Sequence, residues 1–299
     1  MLARVWPASL GRVQAALASR ALARPLVVPP GLAVVTVGGA TLGGSGKTRV
    51  ALAVARSLVG RGARVAFVGH AYLAQPGRAR VVHAGDALAD VGDEALVAVR
   101  GLGATAPVVV ARRRQDAIDL AATLADVVVI DGPLQLAPAR ASLALLAVDA
   151  DAPWGARALP PAGDLRAPAA ALLAHADLVV PVDAAPRLPA ALLASLRGER
   201  VGLFTALARP ARLEAALRGL GVIPAVSVRA ADHGPMTAAL ARRLTGSNVD
   251  RWLATDKCVL HLTTVPLERP ITVIEGTLAL PAEVEKALTL LLRERRVGP

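Results

Sequence analysis

"VGGATLGGSGKT", residues 37–48, decides the fold. The apolar run "GLAVVTV" at 31–37 leads into it, and "KTRVALAVARSLVGRG" at 47–62 leads out with helical periodicity. The order is strand, glycine-rich loop, Gly46-Lys47-Thr48, helix. Such a loop turns backbone N–H groups inward on a phosphate, adds the dipole of a helix N-terminus, aims a lysine at the β- and γ-phosphates and offers a hydroxyl to Mg²⁺. Residues Thr41, Leu42, Gly43, Gly44, Ser45, Gly46, Lys47 and Thr48 are therefore expected to bind a nucleoside triphosphate. The strict G-x-x-x-x-G-K-[ST] spacing would put glycine at 41, where this chain has Thr41. Gly43 and Gly44 supply the flexibility instead.

Outward from the loop, strand and helix alternate. "RVAFVG", "APVVVA", "DVVVI" and "LALLAVD" read as strands and "RQDAIDLAATLA" as a helix. Continuous apolar strands separated by helices mean a parallel sheet covered on both faces, an α/β fold of the P-loop NTPase type. A phosphate loop needs an acid at the tip of a neighbouring strand, and "DVVVID" delivers Asp131 as a holder of Mg²⁺. The Pro-containing segment 181–189 loosens the rhythm. A second series follows with "RVGLFTAL", a helix around 210–219, "IPAVSVRAADHG", a helix at 235–244 and "CVLHLTTV". This predicts a nucleotide-binding lobe over 25–198 and a smaller α/β lobe over 199–299 that closes on the first.

Composition narrows the partners. With 54% hydrophobic residues but no uninterrupted apolar stretch of membrane-spanning length, no transmembrane helix is predicted. The balance of 34 Lys plus Arg against 23 Asp plus Glu, net +11, favours phosphates or an anionic lipid surface. Aromatic residues are only 2%, too few for a base-stacking platform, so nucleic acid is not expected. The single cysteine, Cys258, excludes an internal disulfide and a thiolate zinc cluster and points to a reducing cytoplasm.

Residues 1–24 carry Arg4, Arg12, Arg20 and Arg24 and no acid. Trp6, Leu10, Val13 and Leu17 share a stripe at helical spacing, with Arg4 and Arg12 well off it. No long apolar core of a signal peptide is present. The segment 1–24 is therefore expected to be a basic amphipathic helix that lies on a membrane, the alternative being a helix packed on the protein's own core.

At this point a resemblance becomes specific. "VGGATLGGSGKT" resembles the phosphate loop of the tetraacyldisaccharide 4'-kinases of lipid A biosynthesis, V-G-N-x-T-x-G-G-T-G-K-T, which also has threonine in place of the first glycine. "VGDEAL", "LPPAGDLRAP", "ADH" and "TDK" are similar, in the same order, to that family's V-G-D-E-P, L-P-A-G-P-L-R-E-P, D-H-x and T-E-K-D elements. The resemblance runs from about residue 26 to 262. It implies transfer of the γ-phosphate of ATP to the 4'-hydroxyl of a tetra-acylated glucosamine disaccharide 1-phosphate, a lipid A precursor. It also implies a peripheral or monotopic position at the cytoplasmic face of the bacterial inner membrane, with no obligate protein partner. Asp93 matches the family's proposed base and His233 its imidazole partner. Lys47 acts on the phosphates, while Thr48, Asp131 and Glu94 are offered to Mg²⁺. Tyr72, Gln135 and Arg166 are offered to the substrate.

The chain also departs from the pattern. D-D-G-L-Q-H stands here as Asp131-Gly132-Pro133-Leu134-Gln135-Leu136, without the second Asp and the His. S-R-G-Y-G stands as Gly69-His70-Ala71-Tyr72-Leu73, Ala167 replaces a glutamate, and Cys258 replaces an aspartate. The lost charges keep open a second reading, a diverged relative that binds nucleotide and lipid with little or no phosphate transfer. A third, a switch ATPase of the partitioning or metallochaperone type, leaves "LPPAGDLRAP" and "ADHG" unexplained.

Overall fold

A computed structural model describes residues 8–69, 71, 74–183, 188–231, 234, 236–274 and 278–297. The chain opens with helix α1 (Ala8–Arg20) and strand β1 (Ala23–Pro25), and the phosphate-loop strand β2 (Ala33–Gly39) runs into helix α2 (Lys47–Gly60). Strands β3 (Val65–Val68) and β4 (Arg80–Val81), helices α3 (Leu88–Val91) and α4 (Asp93–Leu102), strand β5 (Val108–Val110) and helix α5 (Arg114–Leu124) follow. Strands β6 (Val127–Asp131), β7 (Gln135–Ala137) and β8 (Leu143–Asp149), helix α6 (Ala169–His175) and strand β9 (Leu178–Val182) complete the first lobe's series.

The main sheet has the order β4-β5-β3-β6-β2-β8-β9, parallel except where β4 joins β5. The phosphate-loop strand β2 lies between β6 and β8. Every residue of β2, β6 and β8 is buried, the result of covering both faces of a parallel sheet. Alternate side chains enter opposite cores: Val35, Val37 and Val129 meet Val50, Val54 and Leu58 of α2, whereas Val34, Val128 and Ile130 meet Ala117, Ile118 and Ala121 of α5.

Helix α7 (Ala190–Ser195) leads to a second sheet of β10 (Val201–Thr205), β11 (Val226–Arg229), β12 (Arg251–Thr255) and β13 (Ile271–Ile274), all parallel in the order β11-β10-β12-β13. Helices α8 (Pro210–Gly219), α9 (Ala238–Thr245) and α10 (Asp256–Val259) connect them, and α11 (Ala282–Val297) ends the described chain.

Three expectations need correction. The segment "CVLHLTTV" is not a strand: the Thr255 hydroxyl accepts the Cys258 N–H and starts the helical turns that hold Cys258 to Leu262. A short apolar run fits a strand or a buried helix equally well, and here the cap decides. The lobe drawn over 199–299 does not keep its last helix. Val284, Leu288 and Leu291 of α11 are buried in the first lobe's core, and Arg61, at the C-cap of α2, pairs with Glu285. Lastly, residues 22–24 do not belong with the N-terminal helix, because Leu22 is buried and β1 pairs with β7.

Helix α1 rests on the first lobe through Ala18, which packs on the cluster of Leu22, Leu134 and Leu165, and the Gln14 amide donates to the Pro160 carbonyl. Val13 and Leu17 stay 57% and 61% exposed. Arg4 and Trp6 lie outside the described residues.

Candidate active site

The glycines of the loop are required where the backbone turns or is crowded. Gly44 and Gly46 sit at φ +71° and +76°, a region that L side chains avoid. A Cβ at Gly39 would come 2.1 Å from Ser45 Oγ, and one at Gly46 would come 2.6 Å from Val182 Cγ1. Thr41 needs no glycine freedom. It forms an isolated antiparallel bridge with Leu165, and its hydroxyl donates to the Gly43 carbonyl at 2.8 Å. The segment Asp164–Arg166 is thus a strap along the phosphate loop: Leu42 N–H donates to Asp164 O, Arg166 N–H to Ala40 O, and Arg166 Nε to Thr41 O.

Parallel register places Asp131, the last residue of β6, opposite Val37, just before the loop. Its fully buried carboxylate accepts Lys47 Nζ at 3.1 Å on Oδ1 and the Thr48 hydroxyl at 2.6 Å on Oδ2. Lys47 also donates to Glu94 Oε1 at 3.2 Å from the first turn of α4. Burial pulls the Lys47 ammonium down, but Asp131 and Glu94 outweigh it and set the pKa above the usual lysine value. Burial raises the Glu94 carboxyl above its usual value, against the opposing pull of Lys47. The structure therefore brings Lys47, Thr48, Glu94 and Asp131 together. Two carboxylates and a hydroxyl are hard oxygen donors that leave coordination positions open, a set that fits Mg²⁺ shared with phosphate oxygens. Among the described residues, no cluster of three or more His, Cys, Asp or Glu forms a closed metal site.

Asp93 is 5% exposed at the start of α4. Its Oδ1 accepts the Glu94 N–H at 2.8 Å, while Oδ2 faces Lys257 Nζ at 3.5 Å and His261 Nε2 at 3.9 Å. The second lobe thus reaches the carboxylate through α10 and the turn after it. His233, expected beside Asp93, lies outside the described residues, as does Tyr72. His261 escaped the sequence reading because its motif, "CVLHLTTV", read as a strand.

Gln135 corrects another expectation. It is 1% exposed, its Oε1 accepts the N–H groups of Leu136 and Ala141, and its Nε2 donates to the His175 carbonyl. The amide is consumed in folding the β7 turn and does not line the cavity. Arg166 does line it.

That cavity, about 990 Å³, runs from the phosphate loop to Ala18 and Leu22 beside α1 and to Thr255 and Ile274 of the second lobe. Ten of its described lining residues are Lys or Arg and three are acidic, a balance suited to a polyanion. Arg114 and Arg166 are both held below the usual guanidinium value, first by burial, with Asp131 opposing and the nearby Arg24 adding to the fall. Three crowded cations make a wall for an anion. At the position of the lost second aspartate, Gly132 sits at φ +136°, and a Cβ there would lie 2.7 Å from the Arg114 guanidinium.

Sequence reasoning also missed an interlobe contact. Asp149, with a fully buried side chain at the end of β8, pairs with Arg209 and Arg212 at the start of α8, and Arg209 also pairs with Asp164. Nothing in the local sequence marks these residues as partners.

Comparison with known proteins agrees with this geometry. The family model described as tetraacyldisaccharide-1-P 4'-kinase matches residues 5–293. A tetraacyldisaccharide 4'-kinase of a Methylobacterium species is 35% identical, with 98% of this chain and 94% of that protein covered. Its namesake in Methylobacterium radiotolerans is 38% identical over 77% of this chain and 75% of its own, and that of Allorhizobium ampelinum 34% identical over 80% and 74%. The crystal structure of LpxK from Aquifex aeolicus in complex with ATP shares the fold, with a TM-score of 0.68, 18% identity and 95% of each chain covered. With the family model spanning nearly its whole length and relatives of this identity, the chain belongs to the tetraacyldisaccharide-1-P 4'-kinase family.

Proposed function

We propose that this chain transfers the γ-phosphoryl group of ATP to the 4'-hydroxyl of a tetra-acylated glucosamine disaccharide 1-phosphate, a lipid A precursor, while seated on the cytoplasmic face of the inner membrane. The observation that carries the reading is the convergence of Lys47, Thr48, Glu94 and Asp131 at one end of an apolar-to-basic cavity, with Asp93 adjacent on α4.

Phosphoryl transfer asks mainly for positioning and charge. The loop from Thr41 to Thr48 receives the phosphates, and Lys47 moves from its carboxylate partners onto the transferring group. Mg²⁺ would be held by Thr48 and Asp131 with Glu94 nearby, and when bound supplies charge neutralisation for the phosphate oxygens. Asp93 accepts the 4'-hydroxyl proton at Oδ2, because Oδ1 already holds the Glu94 N–H. His233 pairs with it when the lobes close, and Lys257 and His261 keep its charge in place from the second lobe. Arg24, Arg114 and Arg166 form the wall that receives an anionic phosphate of either substrate. Val13 and Leu17 on the exposed side of α1 enter the lipid surface, near the cavity end where acyl chains leave. No described helix is long and apolar enough to cross a membrane.

The test uses purified full-length protein, ATP, Mg²⁺ and the tetra-acylated disaccharide 1-phosphate in detergent. A bisphosphorylated lipid is expected. ATP consumption without lipid product would overturn the acceptor, and absence of nucleotide binding would overturn the whole reading.

A further inference from the structure

Part of the phosphate loop is covered by the second lobe, whose Ala208, Arg209 and Arg212 line the same cavity. A Cβ at Gly43 would lie 2.9 Å from Ala208 Cβ, and one at Gly44 would lie 3.1 Å from Arg209 Cδ. From the start of α8, Arg212 Nη1 donates to the Gly44 carbonyl at 3.3 Å. The same guanidinium forms a two-nitrogen pair with Asp149, whose carboxylate also accepts Arg209 Nη1 at 3.3 Å and the N–H groups of Asp151 and Ala152. Asp149 is fully buried at the end of β8, next to the loop-bearing strand β2. Arg212 is therefore held by Asp149 at the end of the first lobe's sheet while it donates to the first lobe's phosphate loop.

The consequence follows from peptide geometry. In a planar trans peptide the C=O and N–H point in opposite directions. Holding the Gly44 carbonyl toward Arg212 therefore points the Ser45 N–H away from α8. Gly44, at φ +71°, lets this peptide plane rotate at little steric cost, so an external restraint has something to decide. We infer that Arg212, anchored by Asp149, is a positioning residue that presets the Gly44–Ser45 peptide for nucleotide phosphate and so couples docking of the second lobe to nucleotide affinity. The inference rests on the phosphate-loop reading, but not on the identity of the lipid acceptor.

Calorimetric titration of ATP with Mg²⁺ into full-length Arg212→Ala should show binding weakened about tenfold, the loss of one charge-assisted hydrogen bond. In steady state the KM for ATP should rise by a similar factor while the KM for the lipid stays within twofold. Arg212→Lys, which keeps the charge and one donor, should recover part of the affinity. Asp149→Asn should weaken ATP in the same direction, and the double variant should be no worse than Arg212→Ala alone, because both break one clamp. Should Asp149→Asn fail to fold, the two Arg212 variants carry the test. Unchanged ATP affinity in folded Arg212→Ala, or an equal rise in both KM values, would overturn the inference. Absence of ATP binding in the unmodified protein would instead sink the phosphate-loop reading.

Discussion

At the scale of single residues, the site is a set of charges kept in check by one another. Lys47 is held by Asp131 and Glu94, and on the proposed mechanism Lys47→Ala removes the cation aimed at the transferring group and should lower turnover about a hundredfold or more. Unchanged turnover in a folded variant would remove the loop from the mechanism. If Asp93 is the base and His233 its imidazole as proposed, Asp93→Ala, His233→Ala and the double variant should lose similar amounts of rate in single-turnover assays, with ATP binding retained. Losses that multiply would assign the two residues independent roles. Gly132→Asp looks from sequence like a repair of the acidic pair, but the backbone at φ +136°, which L side chains rarely adopt, argues otherwise. It should cost about 1 kcal/mol or more in chemical denaturation and leave kcat no higher. A gain in kcat would show that the backbone gives way.

At the scale of elements, α1 and the Asp164 strap serve different surfaces. Leu22 and β1 are tied into the first lobe, so a chain beginning at Pro25 loses structure as well as the proposed membrane contact. Membrane attachment is better read from Val13→Asp with Leu17→Asp. Both side chains are already exposed, so the melting temperature should hold while flotation with anionic vesicles falls; undiminished flotation would move the contact elsewhere. In the strap, the Ala156 N–H, ahead of the Arg209 guanidinium and against burial, holds the Asp164 carboxyl below its ordinary value. A pKa lower in the folded state contributes stability above the unfolded pKa and loses it as pH falls through the folded one. Asp164→Asn should therefore melt lower than the parent at neutral pH, with the gap closing in acid below the usual aspartate range. A gap independent of pH would assign the effect to packing.

At the scale of the whole molecule, the chain crosses between lobes more than once. The last helix returns to cover the first lobe's core through Val284, Leu288 and Leu291. Truncation after Leu280 would uncover these contacts, each worth about 2–5 kcal/mol when a buried leucine is lost to alanine. A fragment of residues 25–198 should for the same reason show no cooperative unfolding transition. A sharp transition in that fragment would mean that its core is sufficient alone.

The sequence by itself determined the parts whose physics is local. A glycine loop between an apolar strand and a helix suits phosphate, and continuous apolar strands require a sheet covered on both faces, so the meeting of Lys47, Thr48 and Asp131 was legible in the sequence. Only the tertiary structure decided what depends on distant neighbours. "CVLHLTTV" became helix because Thr255 caps it, and Gln135 left the substrate for the fold because Leu136, Ala141 and His175 use up its amide. Arg114 came to lie beside Gly132, and Asp149 met Arg209 and Arg212 across 60 and 63 positions of chain. Periodicity reports which face of an element is apolar, but the partner of a charge is chosen by which elements the fold lays side by side.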